Sequence, residues 1–234
     1  MVDVSIVIPA LNEEKYIERT LESIKKQKFK GTYEIIIVDG KSKDKTKEIA
    51  KKYTDNIYMV EPGITAEGRQ KGCKKAKGEI IVSAGADVVY SSNWLKELIK
   101  PIVKGDAIAS CGKIVPLDGT KLEDIFSERI LNPLAAISYT IKIPFAVGDN
   151  IAIRADIFRK VGGFDPKLIT AEDTDLVKRL MKEGKVVYSS KAVAKVSMRR
   201  IREWGYGKYL SFHAQNFIKF HLKNKSEDEY KPIR

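Results

Sequence analysis

At 234 residues with a hydrophobic fraction of 43%, the chain can bury a substantial core as one large domain or two small ones. Lys and Arg outnumber Asp and Glu by 43 to 31, and the formal charge of +12 favours anionic partners: nucleotide diphosphates, nucleic acid or an acidic membrane face. A bilayer span is excluded because the nearest candidate, Leu131–Val147, contains Asn132, Lys142 and two prolines, and Cys73 and Cys111 fit neither a metal-ligand spacing nor a disulfide framework.

The first half alternates apolar strands with helices. Val4–Ile8 predicts a strand, and Asn12 a cap for a helix placing Ile17, Leu21 and Ile24 on one face. Glu34–Val38 is the next strand, and Ser42 opens a helix carrying Ala50 and Tyr53. Ile57–Val60 is a shorter strand, Thr65 caps a helix reaching Ala76, and Glu79–Ala84 precedes a helix with Leu95, Leu98, Ile99 and Ile102. Continuous apolar strands separated by helices imply a parallel sheet covered on both faces.

The second half is less regular. Ala107–Val115 and Gly148–Arg154 read as strands, and Leu122–Ile137 as helix. Val161–Pro166 is turn-rich and leads to a helix from Ala171 to Glu183. Lys185–Ser197 holds one or two strands, and an aromatic-rich helix runs from Arg202 to Leu222. Without repeats, low-complexity linkers or a sharp composition break, the expectation is one domain over residues 1–234. Its donor-side half covers about 1–90, its acceptor-side half about 91–200, and a helical tail 201–234. The opening residues lack the basic and apolar regions of a signal peptide, and two cysteines suit a reducing cytosol. His213 and His221 are too far apart for a helical metal pair.

Acidic and polar clusters fall at strand ends and helix starts. Asn12 and Glu13 follow the first strand, where a helix cap and a first-turn acid explain them structurally. Asp39 closes the second strand and either accepts hydrogen bonds from a ribose or base or stabilises a turn. Asp87, after Gly85 and Ala86, either caps the next turn or holds a divalent cation against a diphosphate at the ligand-binding edge of an open sheet. Glu172, Asp173 and Asp175 open a helix, where acids are electrostatically favoured.

In order along the chain, these clusters are Pro9-Ala-Leu-Asn-Glu13, Val38-Asp-Gly-Lys-Ser-Lys-Asp-Lys-Thr46, Gly68-Arg-Gln-Lys-Gly72 and a strand ending in Ala86-Asp87. Val161-Gly-Gly-Phe-Asp165, Glu172-Asp-Thr-Asp-Leu176 and Arg179-Leu180 follow. The combination, covering roughly residues 3 to 190, resembles the inverting family 2 glycosyltransferases. The resemblance implies the GT-A fold: an α/β, Rossmann-like, mostly parallel sheet with helices on both faces and a less regular acceptor-side half. It implies a UDP- or GDP-sugar donor contacted by Pro9, Ala10, Glu13, Asp39, Arg69, Ala86 and Asp87, with Mn²⁺ or Mg²⁺ on Asp87. It also implies that Asp173 is the base removing the acceptor's proton, with Asp149, Asn150 and Glu172 on the acceptor side.

The chain departs from the family pattern at two points. Gly85 stands where a carboxylate, often a ribose contact, is usual, which keeps a catalytically degenerate nucleotide- or anion-binding module as the alternative. Arg199 and Arg200 lie where many members carry a His, and could assist at the diphosphate or be surface arginines. The Gln-x-x-Arg-Trp of processive synthases is absent, so a single transfer to a glycan, polysaccharide or lipid-carrier acceptor is expected. Leu131–Val147 and Trp204–Phe212 read more readily as buried core than as a membrane-resting face. The expected location is cytoplasmic, with peripheral contact at the inner membrane face as an extension. No nucleic-acid recognition motif accompanies the charge, and no such partner is expected.

Overall fold

The computed structural model describes residues 2–223. Its strands are β1 (Val4–Ala10), β2 (Tyr33–Asp39), β3 (Ile57–Met59), β4 (Ile80–Ala84), β5 (Val88–Tyr90), β6 (Ala109–Leu117), β7 (Asn150–Arg154) and β8 (Val186–Ser197). They form one eight-stranded sheet in the order β3-β2-β1-β4-β7-β6-β8-β5. The helices are α1 (Ile17–Lys25), α2 (Thr46–Lys51), α3 (Thr65–Lys75), α4 (Trp94–Val103), α5 (Lys121–Phe126) and α6 (Asn132–Thr140). They continue with α7 (Ala155–Lys160), α8 (Glu172–Glu183), α9 (Arg199–Trp204) and α10 (Tyr206–Lys223). This is the expected α/β architecture, with the predicted parallel sheet in its first half.

Strand alternation divides the core between the two faces of the sheet. Val4, Ile6 and Ile8 of β1, with Ile35 and Ile37 of β2, pack with Ile17, Leu21 and Ile24 of α1 and with Leu95, Leu98 and Ile99 of α4. Val7, Ile36 and Val38 point the other way, into a cluster with Cys73 of α3, Phe158 of α7 and Leu176, Val177 and Leu180 of α8. Strands buried on both faces need apolar residues at successive positions, which is the Ser-Ile-Val-Ile and Ile-Ile-Ile-Val pattern.

Strand direction sets the site. β1 is parallel to β2 and β4, and β2 to β3, so their carboxyl ends share one edge; Ala10 lies opposite Asp39. β7 runs antiparallel between β4 and β6, which brings its first residue, Asn150, opposite Ala84 at that same edge. β6 is parallel to β8, and β5 pairs antiparallel with β8 at the sheet margin.

Several elements differ from expectation. Asn12 does not cap α1; it adopts a left-handed conformation (φ 53°) and its side chain accepts from the Lys43 amide, tying two loops together. α2 starts at Thr46 rather than near Ser42, because Asp44 takes the Thr46 amide and Ser42 is spent on Asp39. Thr65 is the first residue of α3 and not its cap, which is Ile64. β5 and α7 were not expected; at 3 and 6 residues they are too short to show a period. The tail divides into α9 and α10 at Gly205 (φ 78°), and its expected extension over 224–234 lies outside the described residues.

The expectation that Leu131–Val147 is buried core is corrected. Ala135, Ser138, Tyr139 and Ala146 face inward, but Leu134, Ile137 and Ile141 are 60%, 53% and 59% exposed. A π-helical turn, Ser127–Leu131, joins α5 to α6 just ahead of Pro133, which has no amide hydrogen to continue the α-helical ladder. Leu122, Ile125, Phe126 and Ile130 are also exposed, as are Tyr206, Leu210, Ile218 and Leu222 on α10. No described helix is long and apolar enough to cross a membrane.

Candidate active site

Pro9 and Ala10 end β1, and the chain turns so that Glu13 points back under the edge, its amide donating to Thr46 Oγ1 at 2.7 Å. Glu13 is buried and bonded by both terminal nitrogens of Arg199, at 2.9 and 2.6 Å. The same guanidinium stacks over Tyr16 and reaches Asp87 Oδ2 at 3.0 Å. Arg199 is therefore a site residue, whereas Arg200 turns to the Trp204 ring 5.3 Å away. Asp39 is fully buried and takes the Ser42 hydroxyl on Oδ1 at 2.5 Å and the Ser42 amide on Oδ2 at 3.1 Å. That is the turn-stabilising arrangement.

Beyond β4, the Ala86 carbonyl accepts from Thr20 Oγ1 at 2.8 Å, fixing the turn that presents Asp87. Burial, and then the nearby Asp149 carboxylate, push Asp87 up to about 6, against the opposing pull of Arg199. Arg69, on α3, is buried. Its guanidinium donates to Ser83 Oγ, the Gly148 carbonyl and, at 2.7 Å, Asp149 Oδ1, while its Nε stands 3.7 Å from Glu172. It is a buried cation shared by Asp149 and Glu172, with Asp173 near enough to act on it as well.

Asp173, at the start of α8, accepts the Gly148 amide at 2.8 Å and the Thr174 amide at 2.7 Å. Burial raises its proton affinity, and Arg69 and these two amides oppose that rise. Glu172 is pushed up to about 8, first by burial and then by Asp173. Burial raises both neighbouring acids, Glu172 to about 8, while Arg69 and the Gly148 and Thr174 amides favour the ionised form of Asp173. The helix opens on Ala171 in a left-handed conformation (φ 61°), which turns both acids toward the sheet edge.

Further residues that sequence reasoning did not single out hold this edge. Tyr90 hydroxyl accepts the Gly85 amide and donates to the Asp149 carbonyl, both at 2.9 Å. Trp94 Nε1 donates to Asn150 Oδ1 at 2.7 Å, and Asn150 Nδ2 gives to the Lys113 and Ala192 carbonyls. Asn150 thus clasps β6 and β8 and is buried. Gln70 accepts the Phe164 amide and donates to the Gly162 carbonyl, clamping the turn in which Gly162 and Gly163 have φ of 84° and 74°. The aromatic pair in Tyr90-Ser-Ser-Asn-Trp94, beside an apolar strand, was the available sequence signal.

Asp87 is only 25% exposed by side chain yet open to the edge, and its carboxylate suits a hard divalent cation. Among the described residues no group of three or more His, Cys, Asp or Glu could hold a metal ion. The donor set therefore fits a cation that completes its shell with phosphate oxygens and water, not an all-protein cage.

A family model described as glycosyl transferase family 2 matches residues 5–162. A Methanococcus voltae protein named dolichyl N-acetyl-alpha-D-glucosaminyl phosphate 3-beta-D-2,3-diacetamido-2,3-dideoxy-beta-D-glucuronosyltransferase is 30% identical over 213 residues, 80% of this chain and 64% of its own. The chain spans less than two thirds of the length of these relatives, 62% for glycosyltransferase AglE of Haloferax volcanii, to which it is 29% identical over 192 residues. Among solved structures, Staphylococcus aureus TarS with UDP-GlcNAc superposes with a TM-score of 0.69 at 20% identity, covering 96% of this chain and 76% of that one. These structural likenesses establish the GT-A fold.

Proposed function

The chain belongs to glycosyl transferase family 2, and from that premise we propose that it moves a sugar from a nucleoside diphosphate sugar onto a glycan or lipid-linked acceptor, in one inverting, non-processive transfer. The observation that carries this reading is the convergence of Asp173 with Asp87 and Asp149 on one sheet edge, beneath which Arg69 supplies the balancing charge. A UDP- or GDP-linked donor is the expected substrate; the TarS structure holding UDP-GlcNAc is one such donor complex in a protein of the same fold.

In the transfer, the acceptor oxygen bonds to the anomeric carbon as the bond to the diphosphate breaks on the opposite face, which inverts configuration. The bonding pair leaves with the diphosphate, and the acceptor's proton passes to Asp173. Asp173 can take it because each carboxylate oxygen keeps a lone pair beyond the amide it accepts. Glu172, already protonated, cannot compete for it. Mn²⁺ or Mg²⁺ on Asp87 would stabilise the charge on the departing diphosphate. Arg199, within 3.0 Å of Asp87, is positioned to share that task.

The exposed apolar faces of α5, α6 and α10 support an acceptor met at an anionic membrane surface, such as the cytoplasmic face. Charge complementarity agrees: α9 and α10 also carry Arg200, Arg202, Lys208 and Lys219 against Glu203. Thermal shift with UDP, GDP, ADP and TDP in the presence of Mn²⁺ tests the donor reading. One nucleotide should raise the melting temperature; no response to any would overturn it. Binding without transfer to any acceptor would favour the degenerate module that Gly85 suggests.

A further inference from the structure

Gly85 leaves a gap in the donor edge, and its backbone surroundings show what fills it. An atom placed at the Cβ position of residue 85 would lie 2.7 Å from Asp149 Cγ, 2.8 Å from Asp149 Oδ1 and 2.9 Å from Val88 Cγ2. No side chain fits there while Asp149 keeps its place. The Tyr90 hydroxyl ties the two backbones together, accepting from the Gly85 amide and donating to the Asp149 carbonyl. The pairing of Ala84 with Asn150 fixes the same juxtaposition from the sheet.

We propose that Asp149 is a donor-side residue: its carboxylate, arriving from β7 into the space beside Gly85, accepts hydrogen bonds from the ribose hydroxyls of the nucleoside diphosphate. The inference rests on the donor reading above and moves Asp149 from the acceptor side, where the sequence pattern sets it. Its side chain is 27% exposed, so it opens to the edge that Asp87 shares. Ribose suits it better than a cation. Arg69 is buried, donates to Ser83 and the Gly148 carbonyl, and holds Asp149 Oδ1 at 2.7 Å, which compensates part of that carboxylate's charge and occupies one of its oxygens. A carboxylate held this way keeps lone pairs for hydroxyl donors and attracts Mn²⁺ less than one without a buried guanidinium partner. Asp87 differs, because Arg199 touches it through one contact at 3.0 Å while spending both terminal nitrogens on Glu13.

Titration calorimetry on the full chain, with Mn²⁺ and whichever of UDP or GDP the wild type binds, tests this against the matching 2′,3′-dideoxynucleotide. Asp149→Ala should weaken the ribonucleotide about tenfold or more, the loss of a charge-assisted hydrogen bond. The dideoxynucleotide, which lacks both hydroxyls, should lose far less. Gly85→Asp should also weaken the ribonucleotide, because its Cβ meets Asp149. The pair Gly85→Asp/Asp149→Ser should recover most of that loss by returning one carboxylate to the gap. Equal weakening of both nucleotides by Asp149→Ala, with a lowered melting temperature, would reduce Asp149 to a prop for Arg69 and overturn the proposal. So would an unchanged ribonucleotide affinity. Failure of the wild type to bind either UDP or GDP is a separate outcome, in which the donor reading falls first and this inference with it.

Discussion

Strands β1 and β2 hide Ile6, Ile8, Ile36 and Ile37 almost completely, whereas α5 and α6 leave Leu122 78% and Leu134 60% exposed to solvent. Both regions are rich in large aliphatic residues, but only one uses them for stability. Full burial of an isoleucine contributes about 2–3 kcal/mol, and an exposed leucine contributes close to nothing. The first half is therefore a scaffold whose apolar residues are explained by packing. The second half carries apolar residues on α5 and α6 that packing does not explain, which is where an interaction surface belongs. The clustered acids sit at the seam: Asp87 just after β4, Asp149 just before β7 and Asp173 at the start of α8, with Arg69 of the first half bonded to Asp149 of the second.

The largest effect expected at the seam is on chemistry alone. Asp173→Asn should lower sugar transfer about 10²–10⁴-fold, the range of a general base, while nucleotide affinity stays near wild type. Transfer retained in that variant would remove Asp173 as the base and point to an acceptor already ionised, such as a lipid phosphate.

Stability should respond in the opposite half. Ile37→Ala should cost about 2–5 kcal/mol in urea unfolding, because Ile37 is fully buried in the cluster under α1. Leu134→Ser should stay within about 0.5 kcal/mol. Comparable losses for both would erase the distinction between scaffold and surface.

A smaller effect follows from Glu172. Its carboxyl is raised from the ordinary 4.5 to about 8, so between those values the folded chain holds a proton that the unfolded chain has released. Stability then falls as pH rises across that window, and the loss is complete above about 8. Glu172→Gln should flatten the decline in melting temperature between about pH 5 and 8; an unchanged slope would show that Glu172 is not the buried proton carrier.

The smallest folding effect, paired with a clear binding effect, belongs to the exposed face. The double variant Leu134→Ser/Ile141→Ser should melt as wild type yet co-sediment more weakly with vesicles containing anionic lipid. Equal sedimentation would dissociate this face from membranes.

The same division governs what could be read from sequence. β1, β2 and β4 announce themselves because a strand buried on both faces has no polar option, and α1 because Ile17, Leu21 and Ile24 recur at helical spacing. The buried-core expectation for Leu131–Val147 failed because apolar content says nothing about which face is covered; tertiary placement decides that. At the site, the sequence brought out Asp87, Asp173, Glu13, Asp149 and Arg199, but not which of them meet. Arg199 meets Glu13 across 186 residues and Asp149 enters beside Gly85 through an antiparallel strand, contacts that no local spacing encodes. Arg69, expected at the nucleotide, is buried against Ser83, Gly148 and Asp149, since a motif gives the residue type and not the depth.

Electron paramagnetic resonance of Mn²⁺ titrated with UDP or GDP tests the donor edge most directly, comparing wild type, Asp173→Asn and Asp87→Asn. Wild type and Asp173→Asn should both form a protein–Mn²⁺–nucleotide complex, and Asp87→Asn should form none. A complex of wild-type affinity in Asp87→Asn would contradict the assignment of this edge as the donor site.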